Sequence, residues 1–281
     1  MAAVETVDFR GTEAVRLATP AGASAVIALH GAQVLSWQPA GGMERLYLSE
    51  RAVFAEGKAI RGGVPVIFPQ FAERGQGPRH GFARTRRWQA TGVRQQENYA
   101  SATFRLEHDE VTRALWPHAF AAELTVMIER QRLDIELEVF NLDSRPFQFT
   151  AALHTYLRLG NVELARLQGL EGLHYLDSLQ GDKRCSDDRY ALLVDDAVDR
   201  IYLRADKSLL LSEPGQQVAI EQFGFTDAVI WNPWQAGCAA TPDMAAIDFK
   251  RMLCVEAAVI ENPVVVAPGK DWCGRQTLIS I

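Results

Sequence analysis

The stretch that decides the fold is Glu123–Val139, which reads ELTVMIERQRLDIELEV. Apolar residues occupy every second position on both sides of Arg130 and Gln131: Leu124, Val126 and Ile128 before them, and Leu133, Ile135, Leu137 and Val139 after them. Such alternation predicts strands with one buried face, because successive side chains in a strand point to opposite faces. Since only two residues separate the halves, we predict a β-hairpin.

The same period recurs along the chain, with Gly, Pro, Asp or Asn between the runs. The further strand candidates are Ala14–Thr19, Ser24–His30, Gln33–Gln38, Ser101–Glu107, Phe147–Leu159, Arg200–Leu203, Ser208–Ser212, Gln216–Gln222, Ala228–Trp231, Met252–Val259 and Arg275–Ile281. Helical patterns are few, at Val111–His118 and Ala245–Met252, and no βαβ alternation exists. We predict one all-β domain over residues 1–281, a large antiparallel β-sandwich, with Asp182–Asp199 as an excursion from the sheets.

Composition limits the function. The 281 residues include 29 basic and 35 acidic side chains, a net charge of −6, which disfavours nucleic acid as a partner. The four cysteines form no CxxC pair, so we expect reduced thiols and no metal site. There is neither a signal-peptide pattern nor an apolar run long enough to span a membrane, so we expect a cytoplasmic protein.

Cations are concentrated between Ala59 and Trp88, in AIRGGVPVIFPQFAERGQGPRHGFARTRRW. The stretch contains Arg61, Arg74, Arg79, Arg84, Arg86, Arg87 and His80, with five glycines and three prolines. Guanidinium groups match the paired oxygens of phosphate or carboxylate, and in an acidic protein such a cluster suits a small anion. The alternative is a structural loop whose arginines cap carbonyls and pair with acids, and the stretch alone leaves both open.

Two titratable residues lie within strand candidates. His154 is on the mixed polar face of Phe147–Leu159, where it could transfer protons at neutral pH or simply be a surface histidine. Glu256 lies in MLCVEAAV, Met252–Val259. Burial in this apolar strand would raise its pKa toward the range of a useful base. Otherwise it points to solvent or pairs with an arginine.

Two more polar residues are candidates for contacting a ligand. His80 follows Pro78 and Arg79 and could bind a ligand hydroxyl or brace the loop. Asp199, at a predicted strand start, could accept hydrogen bonds from hydroxyls or cap a turn.

Several segments, in order, resemble the D-hexose-6-phosphate mutarotases of the aldose 1-epimerase superfamily. The segments are IRGGVPV at 60–66, HGFAR at 80–84, HTY at 154–156, DRIY at 199–202, WNPW at 231–234, CVE at 254–256 and APG with a tryptophan at 267–272. The resemblance spans roughly residues 10–280 and implies a galactose mutarotase-like β-sandwich that needs no metal or organic cofactor.

The resemblance also implies roles for particular residues. The catalytic histidine matches His154 and the catalytic glutamate matches Glu256. The arginines of the phosphate side match Arg61 and Arg84, and a ligand-contacting aspartate matches Asp199. His80 would support the sugar oxygens. Relatives often have glutamine where this chain has Arg79, a departure that could strengthen anion binding or alter substrate preference.

The expected reaction interconverts the α and β anomers of a hexose 6-phosphate. One group removes the proton of the C1 hydroxyl while another protonates the ring oxygen, and the roles reverse when the ring closes. The alternatives are an aldose 1-epimerase for unphosphorylated hexoses and a non-catalytic sugar-binding module. The expected partner is a small sugar phosphate, with neither nucleic acid nor membrane, and we expect a monomer.

Overall fold

The structure, a computed structural model, describes residues 3–281. Its strands are β1 Ala3–Phe9, β2 Thr12–Ala18, β3 Ser24–Ala28, β4 Val34–Gln38, β5 Val66–Ile67, β6 Gln89–Gln95, β7 Ala100–Glu107, β8 Phe120–Ile128, β9 Arg132–Asn141, β10 Phe147–Leu153, β11 Tyr156–Arg158, β12 Arg166–Gln168, β13 Leu173–Asp177, β14 Lys183–Asp187, β15 Ala191–Leu192, β16 Val198–Tyr202, β17 Leu209–Glu213, β18 Gln216–Phe223, β19 Asp227–Asn232, β20 Met252–Val266 and β21 Asp271–Ser280. The α-helices are α1 Glu110–Leu115 and α2 Trp234–Ala240, and short 3-10 helices cover Ala83–Thr85, Val162–Leu164, Ser178–Gln180 and Asp248–Arg251.

The strands form three sheets. One has the order β1-β2-β3-β4, and the second, of eight strands, has the order β14-β13-β16-β19-β20-β10-β5 with β11 beside β20. The third, of nine strands, has the order β15-β12-β17-β18-β21-β9-β8-β7-β6. The predicted hairpin is confirmed as β8–β9, with Ile128 opposite Leu133, and so is the antiparallel all-β sandwich. None of the helices within residues 3–281 is long and apolar enough to cross a membrane.

Alternation along β20 explains how one strand serves both the core and a site. Val255 and Ala257 pack into the main core, together with β9 residues such as Ile135. Cys254 and Ala258, one position away from them, face the opposite side of the eight-stranded sheet, where smaller apolar clusters lie. We call this side the outer face. Because loops cover much of it, β20 is buried on both faces, which explains its nearly continuous apolar sequence.

Two predicted elements differ from the structure. The Phe147–Leu159 candidate is interrupted after Leu153, and β11 resumes at Tyr156. The prediction that Asp182–Asp199 leaves the sheets is wrong, because it contains β14, β15 and the start of β16. β14 is an edge strand that pairs only with β13, and its largely exposed side chains show no apolar alternation.

A buried carboxamide links the two large sheets. Gln276 on β21 accepts a hydrogen bond from the Thr155 hydroxyl and donates one to the Val255 carbonyl at 3.0 Å. Gln276 is 1% exposed and Thr155 is fully buried, so water cannot replace these bonds. The two residues that Gln276 holds are the chain neighbours of His154 and Glu256.

Replacing Gln276 with leucine should lower the free energy of unfolding by about 1–3 kcal/mol, because buried polar groups of the opposite sheet lose their partner. Urea denaturation of the wild type and of Gln276→Leu measures the change. The double variant Thr155→Val with Gln276→Leu is the control and should recover part of the loss, since the orphaned hydroxyl is then also gone. Equal stability of Gln276→Leu and wild type would contradict this.

Candidate active site

A cleft of about 630 Å³ opens on the outer face of the eight-stranded sheet. All seven residues expected at the site line it: Arg61, Arg79, His80, Arg84, His154, Asp199 and Glu256. They come from segments far apart in sequence, which the sheet order brings together: β20 and β16 supply the floor, and the chain before and after β5 supplies the arginines.

The centre of the cleft is a buried imidazole–carboxyl pair. Nε2 of His154 lies 3.3 Å from Oε1 of Glu256, and their side chains are only 10% and 1% exposed. The register places Leu153 opposite Ala257 and Tyr156 opposite Cys254, so His154 is opposite Glu256 although the strand is interrupted there. Directly opposite residues on one face of an antiparallel pair have neighbouring side chains.

Burial controls the protonation of both partners. Desolvation, followed by the proximity of His80 and then the charges of Arg84 and Arg61, lowers the pKa of His154 well below its usual value. Desolvation and the nearby Asp199 raise the pKa of Glu256 well above its usual value, and Arg84 opposes that shift. The free site therefore favours a protonated carboxyl beside a neutral imidazole, a pair that holds one transferable proton without net charge.

Aromatic rings form the wall beside this pair. The ring of Tyr156 stacks on His154 with centroids 4.8 Å apart and an interplanar angle of 11°, and Trp231 meets both rings edge-on at 6.0 Å. The Tyr156 hydroxyl accepts a hydrogen bond from Nη1 of Arg61 at 3.1 Å. These contacts fix the imidazole plane and connect it physically to the cations.

The predicted anion-binding arginines differ in their partners. Arg61 donates from Nε to Asp243 at 3.1 Å, and the exposed Arg79 pairs with Glu73 at 3.2 Å. Arg84 has no carboxylate partner within the described residues, donates only to the Arg79 carbonyl, and keeps a buried Nε with no hydrogen-bond partner. Burial, the largest cause, lowers the Arg84 pKa to about 10, so the group remains charged at neutral pH.

On the sequence alone, the remaining arginines of the stretch, Arg74, Arg86 and Arg87, are predicted to be ordinary surface charges. Arg86 and Arg87 pair with Asp109 and Glu13, away from the cleft. Arg74 is also exposed and pairs with Asp182, but its side chain lines the cleft.

His80 is held so that one ring nitrogen is free for a ligand. Its Nδ1 accepts a hydrogen bond from the Ala72 amide at 3.2 Å, which leaves the proton on Nε2 as a donor. The backbone turns sharply here, with φ +64° at His80 and +68° at Gly81. A Cβ at Gly81 would lie 2.1 Å from the Phe68 carbonyl oxygen, so only glycine fits.

Asp199 faces Glu256 from two strands away. Desolvation raises the Asp199 pKa to about 6, while Arg79 and the nearby Ser178 side chain oppose the shift. At neutral pH the group is therefore largely an acceptor for ligand hydroxyls. The sequence patterns did not single out Tyr156, Asp182 or Ser178, although the HTY segment contains the first of them.

One group of side chains could ligate a metal. His154, Cys254 and Glu256 each offer a ligand atom within 4.8 Å of the others. The positive charges of Arg61 and Arg84, which lower the pKa of His154, would equally oppose a divalent cation at this position. The arrangement is therefore better suited to proton transfer than to holding a metal.

A large antiparallel sandwich with a buried acid–base pair on the floor of an open cleft defines an enzyme of the sugar epimerase type. The family model described as Aldose 1-epimerase matches residues 13–278. The chain belongs to the aldose 1-epimerase family, as the resemblance indicated, and its substrate is a small sugar.

Relatives with assigned names agree with this family. A Cenchrus ciliaris protein named "Putative glucose-6-phosphate 1-epimerase" is 36% identical over 96% of this chain and 85% of its own length. An Escherichia coli K12 protein of the same name is 32% identical over 83% of this chain and 79% of its own. The crystal structure of a "putative mutarotase" from Salmonella typhimurium superposes with a TM-score of 0.92 at 29% identity, over 99% of this chain and 93% of that one.

The depressed pKa of His80 predicts a pH dependence of stability. Desolvation and the nearby arginines lower this pKa from 6.5 to about 3, so between these values the unfolded state binds more protons and stability rises with pH. His80→Gln should flatten the slope of the free energy of unfolding in this window by at most one proton, about 1.4 kcal/mol per pH unit.

Urea titrations at several pH values between 3 and 6.5 measure this slope. The matched control is His174→Gln, since His174 lies on β13 outside the cleft. Identical slopes for His80→Gln and wild type would show that His80 protonates freely in the folded protein.

Proposed function

We propose that the protein interconverts the α and β anomers of hexose 6-phosphates of the glucose 6-phosphate type. The observation that carries the proposal is Arg84: a partly buried cation in the same cleft as His154 and Glu256, with a buried, unpartnered Nε and no carboxylate partner within residues 3–281. A neutral sugar would leave this charge uncompensated in the cleft, whereas a phosphate matches it in charge and geometry. The names of the two curated relatives point to the same substrate.

The reaction requires only the paired groups. With Glu256 ionised and His154 protonated, the carboxylate removes the proton of the C1 hydroxyl while the imidazolium protonates the ring oxygen. The C1–O5 bond breaks, the C1 oxygen becomes the aldehyde oxygen, and C1–C2 rotates. Closure on the opposite face returns both protons by the reverse transfers. Ring opening leaves Glu256 protonated and His154 neutral. Ring closure restores the ionised Glu256 and the protonated His154, so a turnover in either direction regenerates the starting state of the pair.

A bound phosphate would also raise the pKa of His154, the proposed acid. Arg84 and Arg61 depress the pKa of His154 in the free protein. A phosphate dianion bound to them compensates these charges and raises the pKa of His154 toward the range in which it can act as the acid. Arg79, exposed and paired with Glu73, would assist from the rim. His80 donates to a ring or hydroxyl oxygen, and Asp199 accepts from hydroxyls.

One chain supplies every residue of this site, so a monomer is sufficient for catalysis. Because a sugar phosphate is charged and does not cross a bilayer unaided, we propose that the protein works in the cytoplasm, where such substrates are made.

Removing either member of the pair should slow anomerisation by about 10²–10⁴-fold, the usual effect of losing a positioned acid or base. NMR magnetisation exchange on glucose 6-phosphate measures the rates for Glu256→Gln and His154→Gln. Lys250→Gln serves as the control, because Lys250 pairs with Glu163 outside the cleft. Wild-type turnover in both site variants would rule out these roles.

Arg84→Gln should separate phosphate recognition from the chemistry. Loss of charge-assisted hydrogen bonds of about 1.5–3 kcal/mol predicts roughly a 10- to 100-fold fall in kcat/KM for glucose 6-phosphate, with little change for glucose. Arg87→Gln, from the same stretch but paired with Glu13 elsewhere, is the matched control.

The same assay distinguishes the alternatives. A wild-type preference for free glucose would instead support an epimerase for unphosphorylated hexoses, and binding without rate enhancement would support a non-catalytic module.

A further inference from the structure

The cleft runs across the strands of the outer face. His154 lies between β10 and β11, Glu256 on β20, Trp231 on β19 and Asp199 on β16, and these strands follow one another in the sheet. Ser178, directly after β13, comes next. Since neighbouring strands are about 4.8 Å apart, Asp199 is about 10 Å from Glu256 across the sheet, with β13 one spacing beyond.

A single loop crosses the sheet along this cleft. It comprises residues 70–81, which follow β5 at one edge of the sheet, and we call it the crossing loop. Phe71 packs on the outer face against Ile201 and Val229. At the far edge, Nη2 of Arg74 contacts Oδ2 of Asp182, in the turn between β13 and β14, at 2.5 Å. One ion pair thus joins the crossing loop to the opposite edge of the sheet.

Further hydrogen bonds hold Asp182 and the crossing loop that carries Arg74. Oδ1 of Asp182 accepts a hydrogen bond from the Ser178 hydroxyl at 3.2 Å. Within the crossing loop, the buried Gln70 side chain bonds the Ala72 carbonyl and both backbone groups of Gly77. A second cavity of about 330 Å³ lies against residues of the same loop, so bulky packing does not support that part of it.

The ion pair has little value for stability alone. Its side chains are 35% and 45% exposed, and pairs at such exposure contribute at most about 1 kcal/mol. Its position at the end of the cleft is the more informative property, because Arg74, Ser178 and Asp182 all line the cleft there.

The chemistry of the proposed reaction orients the sugar in the cleft. In the proposed reaction C1 and the ring oxygen lie at His154 and Glu256, and Arg61 and Arg84 bind the 6-phosphate, which C6 carries on C5, the ring atom between the ring oxygen and C4. C4 lies across the pyranose ring from C1. The C4 hydroxyl therefore points along the sheet toward Asp199 and the Arg74–Asp182 pair.

We propose that Arg74 and Asp182 form a clasp that closes the C4 end of the cleft and excludes sugars substituted at O4. The inference rests on the proposed function, which sets the orientation of the sugar. A single ring fits between the acid–base pair and the clasp, whereas a methyl or glycosyl group on O4 would collide with the ion pair or break it.

The wild-type protein provides the first test without any mutation. Anomerisation rates of glucose 6-phosphate and 4-O-methylglucose 6-phosphate are compared by NMR magnetisation exchange. One additional methyl in a closed pocket changes kcat/KM by roughly 10- to 200-fold, so we expect the analogue to be slower by that factor. Equal rates for the two compounds would overturn the clasp.

Substitutions of Arg74 and Asp182 then test whether this ion pair causes the discrimination against the 4-O-methyl sugar. Arg74→Ala and Asp182→Ala should each reduce the discrimination by about tenfold or more, by opening the end of the cleft. The exchanged pair Arg74→Asp with Asp182→Arg should restore it. Arg184→Ala is the matched control, because its 3.2 Å pair with Glu261 joins β14 to β20 without lining the cleft. Unchanged discrimination in both alanine variants would overturn the proposal.

The two proposals can fail separately. No acceleration with any hexose 6-phosphate would refute the proposed function. The clasp would then be judged by the same ratio measured with glucose and 4-O-methylglucose, for which C1 and C4 keep their places. Acceleration of glucose 6-phosphate together with equal turnover of its 4-O-methyl derivative would refute the clasp alone.

Discussion

The candidate site depends on the buried carboxamide of Gln276, which ties the nine-stranded sheet to the two segments that carry His154 and Glu256. The chain leaves regular strand geometry between Leu153 and Tyr156, so ordinary ladder bonding does not fix His154 by itself. Gln276 bonds Thr155 on one side and the Val255 carbonyl on the other. The core beneath them therefore helps to hold His154 and Glu256 3.3 Å apart.

The electrostatics of the cleft follow from that burial. A dry floor favours the neutral forms of both partners, and this leaves a single proton to be distributed between Glu256 and His154. Arg84 biases the distribution, since it favours an ionised Glu256 and opposes a protonated His154. In the proposed reaction a bound phosphate would offset the charge of Arg84 and weaken both effects, so protonation of His154 would become easier. The arginines proposed to bind the phosphate would then also tune the proposed acid.

The sequence predicted those parts of the site that depend on strand periodicity. Alternation placed β8–β9 correctly, and the single carboxyl in an apolar strand identified Glu256 as unusual. Ordered short motifs then supplied the other site residues. Periodicity could not predict the Arg74–Asp182 contact, because 108 positions separate its partners and it arises only when the sheet order brings the β13–β14 turn opposite the crossing loop. The interruption at His154 leaves only a slight trace in the sequence, polar Thr155 on a face that is otherwise apolar.

Changes in the sheet and changes in the crossing loop consequently have different costs in stability. Glu256 and Thr155 are almost completely buried, and any change there disturbs the core as well as the chemistry. The crossing loop is held by Gln70, Phe71 and one half-exposed ion pair, so its outer part can be altered at little cost in stability. If the clasp acts as proposed, changes in the loop would alter the substrate range and leave the His154–Glu256 geometry intact, because neither Arg74 nor Asp182 is hydrogen-bonded to Gln276.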